Sequence, residues 1–279
     1  MLDVSRSAYY DFIRGQNRTQ ALAGSTLAKD LEQLFYKHKR RYGARRLRSA
    51  LCDQGYEVGR YRVRSLMKAL SLKAIQPKSF VPRTTVGDPS RARSPNLLLE
   101  MEQFPKQINQ VLVGDITYLP SEEGWLYLAV WMDLFSRFIA GWSLANHMRA
   151  SLVEQALEQV IYKRAPVAGM LVHSDGGGQY RADGFRQLLR KYQFRQSMTR
   201  KNNHYDNAFI ESLFSRMKAE LMNDQAVFMN KAAAQLKVFE YIEGYYNRIR
   251  KHSSLDYLSP VQFEKKQFQK SVPRPGAGN

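Results

Sequence analysis

The sequence predicts an α/β fold: a mixed five-stranded sheet flanked by helices, preceded by a small, basic, all-α region. Three observations predict it. Through residue 73, apolar residues recur at the spacing of amphipathic helices. From 111 the period becomes that of strands, in three segments joined by short connections. After 150, helical and strand-like segments alternate, which completes the order βββαβαβα.

Within residues 1–24, SRSAYYDFIRG reads as a short helix, and Thr26 to Arg41 reads as a second that ends in the basic run KHKRR. A third helix carries Leu47 and Leu51 inward, a turn follows at Gln54-Gly55-Tyr56, and a fourth helix turns Val63, Leu66, Met67 and Leu70 inward. Arg45, Arg46, Arg48, Arg60, Arg62 and Arg64 decorate the last two helices. Two short helices about a glycine turn with arginines outward fit a helix-turn-helix on DNA; a helical bundle with a solvated basic face fits the same pattern. Pro77, Pro82, Pro89 and Pro95 mark residues 74–98 as an extended basic linker.

Val111 to Leu119 alternates, so Val111, Val113, Asp115 and Thr117 share one face. Trp125 to Asp133 is an apolar run of the kind a central strand buried on both faces requires, and Phe138 to Leu144 is a third strand. Their short connections imply an antiparallel meander. Ala150 to Arg164 is helical, and Gly169 to Ser174 is a short buried strand leading to Asp175 and the loop GGGQY. Arg181 to Tyr192 is helical, and Phe194 to Met198 is the fifth strand. A polar entry from Asn202 to Asn207 then opens a helix with Phe209, Leu213, Phe214 and Met217 on its apolar side. At about 100° per residue, Asn207, Glu211, Ser215 and Lys218 fall near one polar face. Lys231 to Arg250 is a long helix, a turn follows at Ser259-Pro260, and the last residues are expected to be disordered.

Charge narrows the partner. The formal net charge is +18 and the pI about 10.0, and the first 100 residues hold 20 Lys/Arg against 8 Asp/Glu. A chain this basic points to a polyanion, with nucleic acid the first candidate. The single cysteine, Cys52, excludes an internal disulfide and a cysteine-rich zinc site; it reads as a small apolar residue. No apolar run approaches the length of a membrane span and no signal-peptide core is present, so the cytoplasm is the expected compartment and no membrane partner is expected.

Three carboxylates stand out. Asp115 lies within a strand, where a charge is costly unless paired or bound to metal. Asp175 follows an apolar strand and precedes three glycines that permit close approach of a ligand. Glu211 projects from a helix. If the first and fourth strands are neighbours and the helix crosses their ends, the three converge. An all-oxygen set of this kind suits Mg²⁺, with Mn²⁺ as a substitute, and in-line phosphoryl transfer. Each residue also has a structural reading: Asp115 paired with an arginine, Asp175 capping the next helix, Glu211 on the surface. His173 reads as packed and hydrogen-bonded. The sequence holds no GxxxxGK[ST], HExxH or GxSxG pattern.

The segments GDITYLP (114–120), WLYLAVWMDLFSRFIAGW (125–142), HSDGGGQY (173–180), SMTRKNNHYDNAFIESLFSRMKAEL (197–221) and YYNRIRKHSSLDYLSP (245–260) resemble bacterial insertion-sequence transposases. Specifically they resemble the second-reading-frame product of the insertion-sequence-three family, which belongs with the retroviral integrases. The 35 residues between Asp175 and Glu211 and the cation at Lys218 match that family's pattern. The resemblance implies an RNase H-like core, Mg²⁺ dependence, cleavage at the element's 3′ ends and strand transfer by a 3′-OH. It implies that Asp115, Asp175 and Glu211 hold the metals, and that Lys218, Asn207 and Lys201 lie against DNA. The implied partners are double-stranded DNA (terminal repeats and target), further copies of the chain, and an upstream-frame protein or fused segment; the implied setting is the bacterial nucleoid. Gly176 stands where the family usually has arginine, Gly178 where it has serine, Asn202 where it often has glycine, and His204-Tyr205 replaces a Cys-Trp pair. The expected organisation is a DNA-binding region at 1–73, the linker at 74–98, a catalytic core at 99–225, a helical extension at 226–268 and a disordered tail at 269–279. A non-catalytic DNA-binding regulator and a nuclease of the same fold remain alternatives at this point.

Overall fold

In the computed structural model the described residues are 25–77, 92–200, 207–224 and 226–271, with a few between 5 and 12. Of the expected N-terminal helix, Arg6, Ser7, Tyr9, Tyr10 and Phe12 are described and helical, while its other residues beyond Ser5, most of the linker, Lys201 to Asp206 and the last eight residues lie outside the described set. The chain divides into two units, Met1–Gln76 and Pro77–Asn279.

The first unit packs α1 (Thr26–Lys37), α2 (Ala44–Asp53) and α3 (Arg60–Ala69) around buried Leu31, Phe35, Leu47, Leu51, Val63 and Leu66. Ser25 caps α1 by accepting the Ala28 N–H at 3.2 Å. The basic run does not continue α1 to Arg41 as its sequence predicts. Lys39 and Arg40 take left-handed backbone, and the chain turns so that Tyr42 is buried and stacks on His38 at 3.7 Å. Cys52 is exposed rather than packed, because α2 turns Leu47, Ala50 and Leu51 inward instead. Arg45, Arg48, Arg60, Arg62 and Arg64 are exposed and Arg46 half-buried. Arg48 also donates from Nε to the Val58 carbonyl at 3.0 Å, which braces the turn between α2 and α3.

The second unit is built on one sheet. β1 (Val111–Ser121), β2 (Gly124–Asp133) and β3 (Ile139–Ala145) form the predicted antiparallel meander. β4 (Leu171–Ser174) and β5 (Arg195–Met198) add on parallel, giving the order β3-β2-β1-β4-β5. Gly114 faces Trp131 across the β1–β2 pair, and a Cβ there would overlap the indole ring. The missing side chain lets Trp131 lie flat on the sheet with its Nε1–H donated to the Val153 carbonyl at 3.2 Å.

Both faces of the sheet are covered. Leu112, Ala129, Trp131 and Val172 pack on α4 (Ala150–Arg164) and α5 (Asp183–Lys191). Val111, Val113, Leu128 and Val130 pack on α6 (Ala208–Leu221) and on the C-terminal helices. Trp125, at the start of β2, is exposed, so only the rest of that run is buried on both faces.

The long helix expected from Lys231 to Arg250 is two structures. α7 (Lys231–Phe239) is α-helical and Glu240–Tyr246 is a π-helical segment. The wider turn brings Tyr241, Ile242 and Tyr246 into the core, while Leu236 and Phe239 stay exposed. Those buried residues join the same cluster as Val113 and Met217, so the C-terminal helices complete the sheet's core rather than extending from it. α8 (Pro260–Ser271) starts with proline in the first turn, where no N–H is needed, and runs into the residues expected to be disordered.

Candidate active site

The parallel pairing of β1 with β4 ends at Gly114 and Ser174, and the next residue on each strand is an aspartate. Asp115, partway along β1, and Asp175, just past the end of β4, therefore lie side by side where the parallel pairing stops, on strands about 4.8 Å apart. The carboxyl end of a parallel strand such as β4 is where open α/β sheets leave room for ligands. Asp115 accepts the Ile116 N–H at 2.8 Å, and Asp175 accepts the Gly177 N–H at 2.9 Å. The Asp175 contact is a local loop bond; it does not cap α5.

α6 brings the third carboxylate. Ile210, Leu213, Phe214 and Met217 seat the helix on β1, and Glu211, in its first turn, is exposed beside this site. The apolar side differs from its prediction by one residue: Ile210 is fully buried and Phe209 is 39% exposed. Asn207, expected on the polar face with Glu211, is buried at 5% exposure, because it precedes the first residue of the helix and does not follow its phase. Lys218, two turns after Glu211, holds its ammonium 3.9 Å from the centre of the Tyr118 ring, a cation–π contact.

Charge ties these groups together. Burial, then the negative charge of Asp175 and, more weakly, of Glu211, push the Asp115 carboxyl well above the usual carboxylate range; the Ile116 N–H and Lys218 oppose them. Burial lowers the Lys218 ammonium, and Asp115 resists that shift. Asp115 is the residue on which the others act.

Among the described residues, however, no three His, Cys, Asp or Glu side chains lie close enough together to hold one metal ion. The two aspartates are brought side by side, while Glu211 acts on Asp115 only through its charge. Carboxylate oxygens from two adjacent strands, with the charged form of Asp115 disfavoured by burial and its neighbours, are a donor set that fits a hard divalent cation.

Two neighbours were not singled out by the sequence. Tyr180, five residues after Asp175, is 1% exposed, packs edge-on against Trp131, and its hydroxyl is held well above its usual pKa by burial and by the charges of Asp115 and Asp175. Arg93, from the linker, lies against Gly176, where the resemblance expects an arginine; a Cβ on Gly176 would overlap the Arg93 guanidinium. His173 is buried and hydrogen-bonded through Nδ1 to Ser197 Oγ at 2.8 Å, the packed role its place on the strand predicts.

Comparison with known proteins places the chain in a family. Residues 105–204 and 192–260 match models of the integrase core domain, and 25–80 matches an HTH-like domain. The chain is 40% identical over 246 residues to the transposase for insertion sequence element IS904 of Lactococcus lactis, covering 88% of this chain and 96% of that one. It is 37% identical over 270 residues to transposase InsF for insertion sequence IS3A of Escherichia coli, covering 95% and 92%. In fold it is similar to a chain of the simian T-cell lymphotropic virus intasome, with a TM-score of 0.50 at 15% identity over 83% of this chain and 73% of that one. Five strands in this order, helices on both faces and a helical HTH-like unit ahead of them make up an RNase H-like core with an N-terminal appendage. On sequence, coverage and fold together, the chain belongs to the insertion-sequence-three family of transposases, with an integrase core.

Proposed function

We propose that the second unit cuts DNA at the ends of its insertion sequence and joins the resulting 3′-OH to target DNA, with Asp115, Asp175 and Glu211 as the catalytic carboxylates. The observation that carries this reading is the adjacent pair Asp115 and Asp175, side by side where the parallel pairing of β1 with β4 stops, with the Asp115 carboxyl raised by burial and by its acidic neighbours. Asp115 and Asp175 would hold Mg²⁺, and Glu211 would complete the set from α6. The ion, when bound, supplies charge stabilisation at the scissile phosphate and activation of the attacking oxygen. Asp115, half-buried and near Lys218, holds its carboxylate in a fixed direction through the Ile116 N–H. Asp175 is fixed in the same way by the Gly177 N–H. Lys218, stacked over Tyr118, directs positive charge toward the incoming backbone. The exposed arginines of α2 and α3 supply sequence-independent attraction to phosphates.

The test is substitution without change of shape. Asp115→Asn, Asp175→Asn and Glu211→Gln should each lower Mg²⁺-dependent cleavage and strand transfer on element-end duplexes by at least ~100-fold, by analogy with loss of a charge-stabilising group. Duplex binding should persist. A variant that keeps its metal-dependent activity removes that residue from the assignment.

A further inference from the structure

Residues 92–95 run beside β5, the edge strand of the sheet, as a strap. Arg186 of α5 donates to the Ala92 carbonyl, Ser94 Oγ donates to Gln196 at 2.8 Å, and the Met198 N–H donates to the Pro95 carbonyl at 3.1 Å. Gln196 in turn donates to the Tyr180 carbonyl at 2.6 Å, which ties the strap to the loop after Asp175. Between these anchors Arg93 reaches across to Thr199, donating from Nη2 to its carbonyl at 3.0 Å and to its hydroxyl at 3.3 Å. The guanidinium lies in the space that a side chain on Gly176 would fill.

That seat is specific in three respects. Arg93 is an exposed residue, yet its guanidinium is fixed by two acceptors and by a glycine with no side chain. Its Nε and Nη1 donors have no partner among the described residues, and no carboxylate pairs with it there. Its seat is the residue next to Asp175. A planar cation held on one edge, with its remaining donors unused, has the shape to receive a phosphate oxygen.

We propose that Arg93 is a DNA-contacting residue of this site, its free donors binding a phosphodiester oxygen beside Asp175, with Gly176 required to seat it. The proposal rests on the reading of Asp115 and Asp175 as the catalytic pair. Arg93 thus reaches from the linker to the catalytic loop and contributes a cation that the loop itself lacks.

Binding of a duplex carrying the terminal sequence that flanks the gene, measured in Ca²⁺ over a range of salt, tests it on the full chain. Arg93→Gln retains a donor for Thr199 but no charge. It should weaken binding about tenfold and lower the log–log salt slope by about one. Arg93→Lys should recover most of the slope. Gly176→Ala should weaken binding by displacing the guanidinium and add little to Arg93→Gln in the double variant. An Arg93→Gln slope equal to wild type overturns the proposal. So does equal loss in Arg93→Gln and Arg93→Lys, which would mark Arg93 as a clip that holds the strap. Cleavage by the wild-type chain in Mg²⁺ is scored separately: its absence would remove the catalytic reading, while the salt slope still decides Arg93.

Discussion

Tyr180 and Tyr241 are both fully buried, and both hydroxyls are held well above the ordinary 10.0, first by burial and then by nearby carboxylate charge. They differ in what the hydroxyl does. Tyr241 donates to Glu220 at 2.9 Å, and Glu220 is paired with Arg250 at 2.9 Å in a buried cluster. The Tyr180 hydroxyl finds no protein acceptor among the described residues. The same substitution should therefore act differently at the two sites. Tyr241→Phe removes a bond to a buried charge and should cost about 2 kcal/mol in urea unfolding near pH 7, whereas Tyr180→Phe should fall within about 1 kcal/mol of wild type, on the stabilising side. The pH dependence follows from the direction of the shift. A hydroxyl whose pKa is raised by folding contributes stability that is complete below pH 10.0 and is lost as pH rises toward the folded value. Between about pH 10 and 11, Tyr241→Phe should lose stability less steeply than wild type, by up to about 1.4 kcal/mol per pH unit, one proton's worth. Asp115 and Asp175 were legible in the sequence because a strand's end and its period fix where a side chain emerges. Tyr180 was not, because its closeness to both carboxylates depends on how the 3₁₀ turn Gly178–Arg181 folds back.

At the scale of elements, strand boundaries and order followed from patterning, since a buried sheet leaves little freedom in register. The packing of β1 against β2 rests on Gly114. Gly114→Ala would force the Trp131 ring off the sheet and should destabilise the second unit by about 2 kcal/mol, read as a lower urea midpoint with the slope unchanged. Two features were not legible. A π-helical segment needs i→i−5 bonding, which differs from an α-helix only through what its residues pack on; Tyr241, Ile242 and Tyr246 are drawn inward by the sheet. The strap at 92–95 has no periodicity of its own, and its bonds reach Arg186, Gln196, Met198 and Thr199, about a hundred residues away. Local sequence holds no sign of such partners.

For the whole molecule, the charge was the most legible property. The first unit places five exposed arginines on α2 and α3, and the integrase core carries the two aspartates. Affinity for duplex DNA should fall steeply with salt, and Arg45→Gln/Arg62→Gln/Arg64→Gln should lower the log–log slope by about three without altering the melting temperature of the protein. A slope that does not change would place the DNA on another surface. No helix among the described residues is long and apolar enough to cross a membrane.

The C-terminal ties have a bearing on synthesis. Asn247 closes both backbone bonds of Ile139 at the start of β3, accepting its N–H at 2.9 Å and donating to its carbonyl at 3.0 Å. Arg250 neutralises Glu220, which sits on the same helix as Glu211. While the chain emerges from the ribosome, β3 is left with open backbone groups and α6 with an unpaired carboxylate that cannot be buried cheaply. The helix that carries Glu211 is thus expected to reach its final seat only after residue 250 has been made. A chain cut short before Arg250 should therefore keep β1 and β4 paired at the two aspartates and leave α6 poorly held.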